Sequence, residues 1–251
     1  ASTQWYERLV GRKEPLSFTT SHSVNIALQN IQARVRMIQS YLAAQLLCES
    51  EGRKGNLLVL GSANVDESLR GFLTKYDNSS ADLNPIGGIC KTDLRNFLLW
   101  TSDAFNFPSL KDVAYAASSP ELIPIDKETG KTQVSEKDMG LTFEQLDLFG
   151  KLRKINFCGP VSMFKSVIRV WNLKLSDTAA LVKHFFQYYS MNRHKMTTIT
   201  PCYHAESYSP DDNRYDLRQF LYNCMWPRQF QKIDEFVEAA NIANNINGID
   251  E

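Results

Sequence analysis

The sequence predicts an α/β fold whose C-terminal half is mostly helical. Two observations point to the α/β part: an apolar stripe of helical spacing begins at Asn25, and a short apolar run at residues 57–60 follows it. Four apolar residues bounded by Asn56 and Gly61 are typical of a buried strand. Helix followed by strand is half of an α/β unit, and since no other clear central-strand pattern occurs, the sheet is expected to be incomplete.

The N-terminal half is expected to open with an irregular lead-in, residues 1–24, that contains Gly11 and Pro15. A helix then runs from Asn25 to about Ser50 and ends before Gly52. Its apolar residues recur at steps of three and four, which predicts one core-facing stripe. The stripe consists of Leu28, Ile31, Val35, Ile38, Leu42 and Leu46.

After the strand, a Pro/Gly turn at residues 84–88 leads into a helix from Lys91 to about Phe105. Residues 116–140 are polar and turn-prone, and so long a loop in a compact domain is usually functional or mobile. Three short helices should follow: Thr142–152 with capping-box spacing, Ser162–171 and Ser176–186. Residues 189–228 are coil-like, and a last helix at 229–243 precedes a tail that should fray.

Composition excludes several classes of protein. The 251 residues carry 28 basic and 28 acidic side chains, so no electrostatic footprint for nucleic acid is visible. Five cysteines without a C-x-x-C pair indicate free thiols, and the four histidines have no zinc-ligand spacing. No apolar run approaches the about 20 residues needed to span a membrane. The N-terminus lacks a signal pattern, so a cytoplasmic location is predicted.

Several polar residues near the strand are candidates for chemistry, each with an ordinary alternative. Glu67 follows the strand's carboxyl end, where ligands bind in open sheets, and could hold Mg²⁺ or simply occupy the first turn of a helix. Lys75 and Lys91 could contact phosphate or be solvated surface lysines. Arg34 could fork an anion or extend from a core helix to solvent. His194 lies in a basic segment that could also be a plain exposed loop.

Taken together, seven segments closely resemble the long, eukaryotic-type glutamine-dependent NAD⁺ synthetases, in order from about residue 25 to 228. They include Leu60-Gly61-Ser62 with the acidic residues that follow, and the run Arg193-His194. The segments are residues 30–37, 60–68, 74–88, 91–94, 137–142, 189–196 and 208–218.

The resemblance implies an adenine-nucleotide alpha-hydrolase-like, Rossmann-like fold, with a parallel sheet flanked by helices and its N-terminal strands missing. It implies ATP-dependent amidation of deamido-NAD (nicotinic acid adenine dinucleotide) to NAD⁺ through an adenylated intermediate. ATP, Mg²⁺ and ammonia from glutamine would take part, and the protein would be a homo-oligomer. No membrane or nucleic acid is implied as a partner.

The resemblance also implies roles residue by residue, with no catalytic side chain assigned. The residues that would bind deamido-NAD are Asn30, Arg34, Lys75, Asp82, His194 and Lys195. Ser62 and Ser119, which stand where the family has Thr, and Lys91 would contact ATP. Glu67 would coordinate Mg²⁺, and His194 and Lys195 would close from a mobile loop.

The departures from the family pattern concern what this sequence lacks. The Ser-Gly-Gly-x-Asp-Ser pyrophosphate loop and a glutaminase domain do not occur in it, and both would lie N-terminal to it. Ser135 stands where the family's loop has a carboxylate. Residues 25–228 would form a partial synthetase domain: an α/β part to about 115, the mobile loop 116–140 and a helical part 141–228, followed by the C-terminal helix and tail, 229–251. The alternative is a non-catalytic nucleotide-binding or oligomerisation fragment.

Overall fold

The structure, a computed structural model, describes residues 2–11, 15–125, 130, 132–201, 208–210 and 223–247. These residues form ten α-helices and two short 3₁₀ helices, at Asn78–Ser80 and Arg193–Thr197. The α-helices are α1 (Ser2–Leu9), α2 (His22–Ser50), α3 (Val65–Arg70), α4 (Lys91–Ala104), α5 (Ser109–Tyr115), α6 (Ser135–Met139), α7 (Phe143–Lys154), α8 (Pro160–Val167), α9 (Leu175–Met191) and α10 (Pro227–Asn247).

Local capping chemistry explains where the principal helices begin. The Ser21 hydroxyl accepts a hydrogen bond from the backbone N–H of Val24, so α2 starts at His22, earlier than the apolar stripe indicates. The Thr142 hydroxyl accepts from Gln145 N–H, and the Gln145 side-chain oxygen accepts from Thr142 N–H, which confirms the predicted capping box of α7.

The predicted sheet is not confirmed. Among the described residues, the only strand-like pairing is one isolated parallel bridge between Leu60 and Leu83. Gly61 N–H donates to Leu83 O at 2.7 Å, and Asp82 N–H donates to Val59 O at 3.0 Å. Leu58 is 70% exposed, so one side of this segment has no neighbour in the described chain. A β-strand needs a series of backbone hydrogen bonds to a neighbouring strand. The apolar run 57–60 makes too few of them here to form one.

Several predicted element boundaries are wrong. Residues 2–9 of the predicted irregular lead-in form α1, and residues 135–139 of the predicted loop form α6. Helix α8 begins after Gly159 with Pro160 in its first turn, and the Ser162 hydroxyl accepts from Gly159 N–H; the helix ends at Val167, short of Trp171.

Helix α9 runs further than the predicted end at residue 186, because aromatic side chains in its last two turns face the core. Residues 189–191 and 193–197 of the predicted coil are helical. The rest of that coil, much of the 208–218 motif and the end of the predicted fraying tail lie outside the described residues.

The hydrophobic core lies in the C-terminal half, between α3, α7, α8, α9 and α10. Phe149 of α7 packs against Phe185 of α9, with ring centroids 5.2 Å apart, and Phe186 meets Trp226 at 5.3 Å. Leu69 of α3 is fully buried in the same core, so the short helix α3 is fixed by its apolar face. Within the described residues, no helix is both long and apolar enough to cross a membrane.

The stripe predicted as the core face of α2 is largely solvent-exposed. Ile38 is 59% exposed and Leu42 is 55% exposed, whereas Ala33, Ala44 and Cys48 are the residues of α2 that are buried. The helix therefore packs on the rest of the described chain through its small residues. No other part of the described chain packs on its larger apolar residues, such as Ile38 and Leu42.

Replacing Gly71 with Ala is expected to destabilise the fold strongly. Gly71 ends α3 with φ of 73°, and an added Cβ would lie 2.2 Å from the Cβ of Asn192. Gly52→Ala is the matched control, because Gly52 has φ of 67° but nothing within 4 Å of an added Cβ. Urea denaturation should show a loss of about 1 kcal/mol for Gly52→Ala and roughly 3 kcal/mol or more for Gly71→Ala. Equal losses would contradict the steric account.

Candidate functional site

A cavity of about 440 Å³ lies between α2, the segment 62–79 and the end of α9. Helix α2 contributes one wall, and α3 with the residues after it forms the floor. Residues from the 116–140 loop and Lys195 of the second 3₁₀ helix complete the lining. The cavity thus gathers side chains from segments far apart in the sequence, which is the usual construction of a binding site.

Half of the residues assigned by the resemblance line this cavity. They are Asn30, Ser62, Glu67, Ser119 and Lys195. The other half lie outside its lining, and they are Arg34, Lys75, Asp82, Lys91 and His194. Asn30 and Lys195, assigned to deamido-NAD, thus line the same cavity as Ser62 and Ser119, assigned to ATP.

Glu67 presents its carboxylate at the floor because Asn64 caps α3. The Asn64 side-chain oxygen accepts from the N–H groups of Asp66 and Glu67 at 3.0 and 3.1 Å, which fixes the first turn. The backbone N–H of Asn64 is hydrogen-bonded to the Glu67 carboxylate, which opposes the effect of burial on its pKa. Burial raises the pKa of Glu67, and the positive charge of Lys91 acts in the opposite direction.

The buried carboxylate of Asp66 joins the floor of the cavity to α4. Its Oδ2 accepts from the backbone N–H of Lys91 at 2.8 Å. Burial raises the pKa of Asp66 to about 7; the Lys91 hydrogen bond opposes the shift, and the charges of Asp147 and Glu67 add to it. This contact holds Lys91 beside Glu67, although the Lys91 side chain does not line the cavity.

Lys195 lies beside the floor with its amine held from within the protein. Nζ donates to Gly71 O and to Leu73 O, each at 2.7 Å. Burial lowers the pKa of Lys195 to about 8, and the nearby charge of Arg70 contributes to the shift. These two bonds place Lys195 in one position, so its predicted place on a mobile closing loop is not seen. Burial and the charges of Lys75 and Lys195 lower the pKa of the neighbouring His194.

Residues of α2 and of the segment after α3 are joined directly. Arg34 Nε donates to Lys75 O at 2.9 Å, and Asn30 Oδ1 accepts from the Thr74 hydroxyl at 2.7 Å. Arg34 and Lys75, predicted to act together, therefore lie next to each other beside the cavity wall. Asp82 is bound elsewhere, since its carboxylate accepts from Val59 N–H and from the Tyr41 hydroxyl.

The described part of the 116–140 loop is tied into the cavity wall. Ser135 N–H donates to Ser118 O at 2.9 Å, and Gln133 donates to Asp138 at 2.6 Å. The Ser119 hydroxyl, which lines the cavity, accepts from Glu121 N–H at 3.2 Å. Residues 126–129 and 131 of the loop lie outside the described residues.

Sequence reasoning assigned no role to several polar residues of the lining, among them Arg70, Tyr188 and Asn192. Arg70 is the last residue of α3, and Asn192 Nδ2 donates to its carbonyl oxygen at 3.1 Å. The available signal was weak: Arg70 immediately precedes a helix-ending glycine, and such an arginine is usually solvent-exposed.

The described cavity lining offers a metal ion at most a carboxylate or two. No group of three or more His, Cys, Asp or Glu that could hold a metal occurs in the described part of the chain. Mg²⁺ is, however, commonly bound by one or two carboxylates together with substrate phosphates and water. Asp77 also lines the cavity, but its two oxygens accept from Ser79 and Thr74 N–H groups. Glu67 accepts from one backbone N–H and Asp77 from two, so Glu67 is the lining carboxylate with more acceptor capacity left for a cation.

Comparison with known proteins defines the class. The model of the NAD synthase family matches residues 13–198, so the chain belongs to that family. A glutamine-dependent NAD(+) synthetase of Arabidopsis thaliana is 56% identical over 223 residues, 88% of this chain and 30% of the plant protein. The protein of the same description from Homo sapiens is 53% identical, over 91% of this chain and 33% of its own length. The resemblance found in the sequence is confirmed.

A solved structure extends the comparison to the fold. The glutamine-dependent NAD(+) synthetase from Cytophaga hutchinsonii superposes with a TM-score of 0.67, at 20% identity, over 93% of this chain and 34% of that one. This shows that the described chain has the fold of part of an NAD synthetase. The chain spans about a third of the length of the curated relatives that it matches.

Proposed function

We propose that this chain forms the substrate-binding part of an enzyme that amidates deamido-NAD to NAD⁺. ATP would be cleaved to AMP and pyrophosphate, and ammonia would come from glutamine in another domain. One observation supports this most: the cavity gathers Asn30, Ser62, Glu67, Ser119 and Lys195 from four separate segments of the chain. These are residues that the family resemblance assigns to one reaction.

The chemistry required agrees with the charges of the cavity. A carboxylate must approach the phosphates of ATP, and two anions meet only where cations offset their repulsion. Lys195 lies in the lining, and Lys91 interacts electrostatically with Glu67 from the start of α4. Mg²⁺, when bound through Glu67 and the phosphates, would neutralise charge on the phosphates. Holding both substrates in one cavity would supply much of the acceleration.

The proposal also gives roles to the assigned residues that lie outside the cavity lining. Arg34 and Lys75, joined by a hydrogen bond beside the wall, and His194 would contact the extended dinucleotide. Lys91 would reach the ATP phosphates from the N-terminus of α4. Asp82, whose carboxylate already accepts from Val59 N–H, is the least supported of the ten assignments.

The proposal includes partners beyond this sequence. The glutaminase domain and the Ser-Gly-Gly-x-Asp-Ser loop, which the family resemblance implies, would belong to polypeptide N-terminal to this sequence. Homo-oligomerisation and a cytoplasmic location remain predictions from the sequence.

The test is NAD⁺ formation by the complete natural polypeptide that contains this sequence. Deamido-NAD and ATP would be supplied with glutamine or with ammonium chloride, and NAD⁺ would be measured by enzymatic cycling. We expect product with either nitrogen source. Product with neither would contradict the proposed function, and nucleotide binding without turnover would favour the non-catalytic alternative. The 251-residue chain alone should bind but not turn over, because it lacks the pyrophosphate loop.

Binding of deamido-NAD should weaken as pH rises through the pKa of Lys195. Because that pKa is lowered to about 8, the amine is cationic at pH 7 and mostly neutral at pH 9. Calorimetric titration of the 251-residue chain should give a Kd about tenfold higher at pH 9 than at pH 7, if the charge of Lys195 supplies one charge-assisted contact. Lys195→Met should show weaker binding at pH 7 and a flatter profile. An unchanged slope in that variant would contradict the role of Lys195.

A further inference from the structure

Arg70 is an arginine buried in the lining of the cavity. It is 5% exposed, and its guanidinium carbon lies 3.4 Å from the ring centroid of Tyr188, so the planar group stacks on the aromatic face. Nη2 donates to Met139 O at 3.2 Å. These two contacts fix the plane and the position of the guanidinium. Both Arg70 and Tyr188 line the cavity.

The charge of Arg70 has no counter-ion among the described residues. Its Nε is buried without a hydrogen-bond partner, and no described carboxylate lies within ion-pair distance of the guanidinium. Leaving a buried charge unpaired is costly, and the buried charge of Arg70 is retained here next to open space. Burial lowers the pKa of Arg70 to about 10, so the group remains a cation at neutral pH.

A second cation faces the same space. Lys195 also lines the cavity, and the charge of Arg70 helps to lower its pKa. Two neighbouring positive charges repel each other, and an anion between them offsets this repulsion by attracting both. An arginine held by stacking, with a free N–H, is suited to a carboxylate or phosphate oxygen.

We propose that Arg70, together with Lys195, binds an oxyanion of the dinucleotide substrate. This inference rests on the proposed function and adds to it a binding residue that the family motifs do not assign. The oxyanion is either the nicotinate carboxylate or a phosphate oxygen of deamido-NAD. Tyr188 and Met139 are positioning residues, since they act by holding the guanidinium.

The test compares three nucleotides by calorimetric titration of the 251-residue chain and its R70Q variant. Deamido-NAD has both the carboxylate and the phosphates, NAD⁺ replaces the carboxylate with an amide, and ATP is the reference ligand. We expect R70Q to weaken deamido-NAD binding by about tenfold or more, with ATP binding unchanged. A loss confined to deamido-NAD assigns the carboxylate, and an equal loss for NAD⁺ assigns a phosphate.

Other outcomes overturn the inference. Unchanged deamido-NAD affinity in R70Q would do so while leaving the proposed function intact, and an equal loss for all three nucleotides would show a purely structural role. No binding of any nucleotide by the wild-type chain would count against the proposed function itself, and against this inference with it.

A matched control and a second variant guard against misfolding. Arg153→Gln removes an arginine that donates to Cys158 O and stacks near Tyr189 outside the cavity lining, and it should leave all three affinities unchanged. If thermal unfolding shows that R70Q does not fold, the three nucleotide affinities are measured for R70K instead. It keeps the charge and loses the planar fork, so deamido-NAD binding should weaken selectively, and unchanged affinity would overturn the inference.

Discussion

Replacing Glu67 with Ala is expected to lower the rate of NAD⁺ formation by the complete polypeptide at least about a hundredfold. Of the two carboxylates in the described cavity lining, Asp77 accepts from two backbone N–H groups through its two oxygens, whereas Glu67 accepts from one, that of Asn64. Removing Glu67 therefore removes the carboxylate more available to a phosphate-bound cation. The measurement is the steady-state rate at saturating ATP over a series of Mg²⁺ concentrations.

Two further variants make the test of Glu67 specific. Glu67→Gln keeps the size of the side chain and should lose nearly as much activity, because an amide is a poor ligand for a hard cation. Glu144→Ala removes an exposed carboxylate from the first turn of α7 and should leave the rate unchanged. Full activity of Glu67→Ala would exclude a metal role for this residue.

Asp66→Asn is expected to make the chain more stable at and above neutral pH. Burial raises the pKa of Asp66 from 3.8 to about 7 in the folded state. Below about pH 4 the carboxyl group is protonated in both the folded and the unfolded state. Between about pH 4 and 7 only the folded state keeps the proton, so the free energy of unfolding falls as pH rises through this window.

The size of this stability loss follows from the pKa shift of Asp66. Three pKa units at 1.36 kcal/mol each give an upper value of about 4 kcal/mol lost by pH 8. Asparagine is neutral at every pH, and its side-chain oxygen can still accept from Lys91 N–H. Urea denaturation from pH 4 to 8 should therefore show a flatter stability profile for Asp66→Asn, and a more stable variant at pH 8 by roughly 2–4 kcal/mol.

The control for Asp66 is another aspartate close by. Asp93→Asn changes an exposed carboxylate in the first turn of α4 and should keep the wild-type decline with pH. A variant Asp66→Asn that is less stable than wild type at pH 8 would contradict the account. It would mean that the buried carboxylate is stabilised as an anion.

Local signals in the sequence predicted the longer helices better than the short ones, and they predicted the sheet poorly. The capping box at Thr142 and the helical spacing from Lys91 depend on near neighbours, which the sequence contains. A strand and an apolar helix face depend on partners from elsewhere. Leu58 and Ile38 are exposed because nothing in the described chain packs on them. The apolar patterns of the strand and of α2 are present in the sequence, but the burial that they predicted is not found.

The site shows the same division. Motif resemblance located Glu67 and Lys195, which line one cavity although they lie far apart in the sequence. It did not locate Arg70, because the importance of that residue arises from stacking on Tyr188 and from burial beside Lys195. Such contacts are a product of tertiary packing and have no local sequence pattern.

The most direct test of the central claim is hydrogen–deuterium exchange of the 251-residue chain with and without deamido-NAD. If the cavity is the substrate site, protection should be concentrated in the segments that line it, residues 26–36, 62–79 and 188–195. Little change is expected in α10, which is outside the lining. Protection absent from all three segments at saturating deamido-NAD would contradict the claim that this cavity binds the substrate.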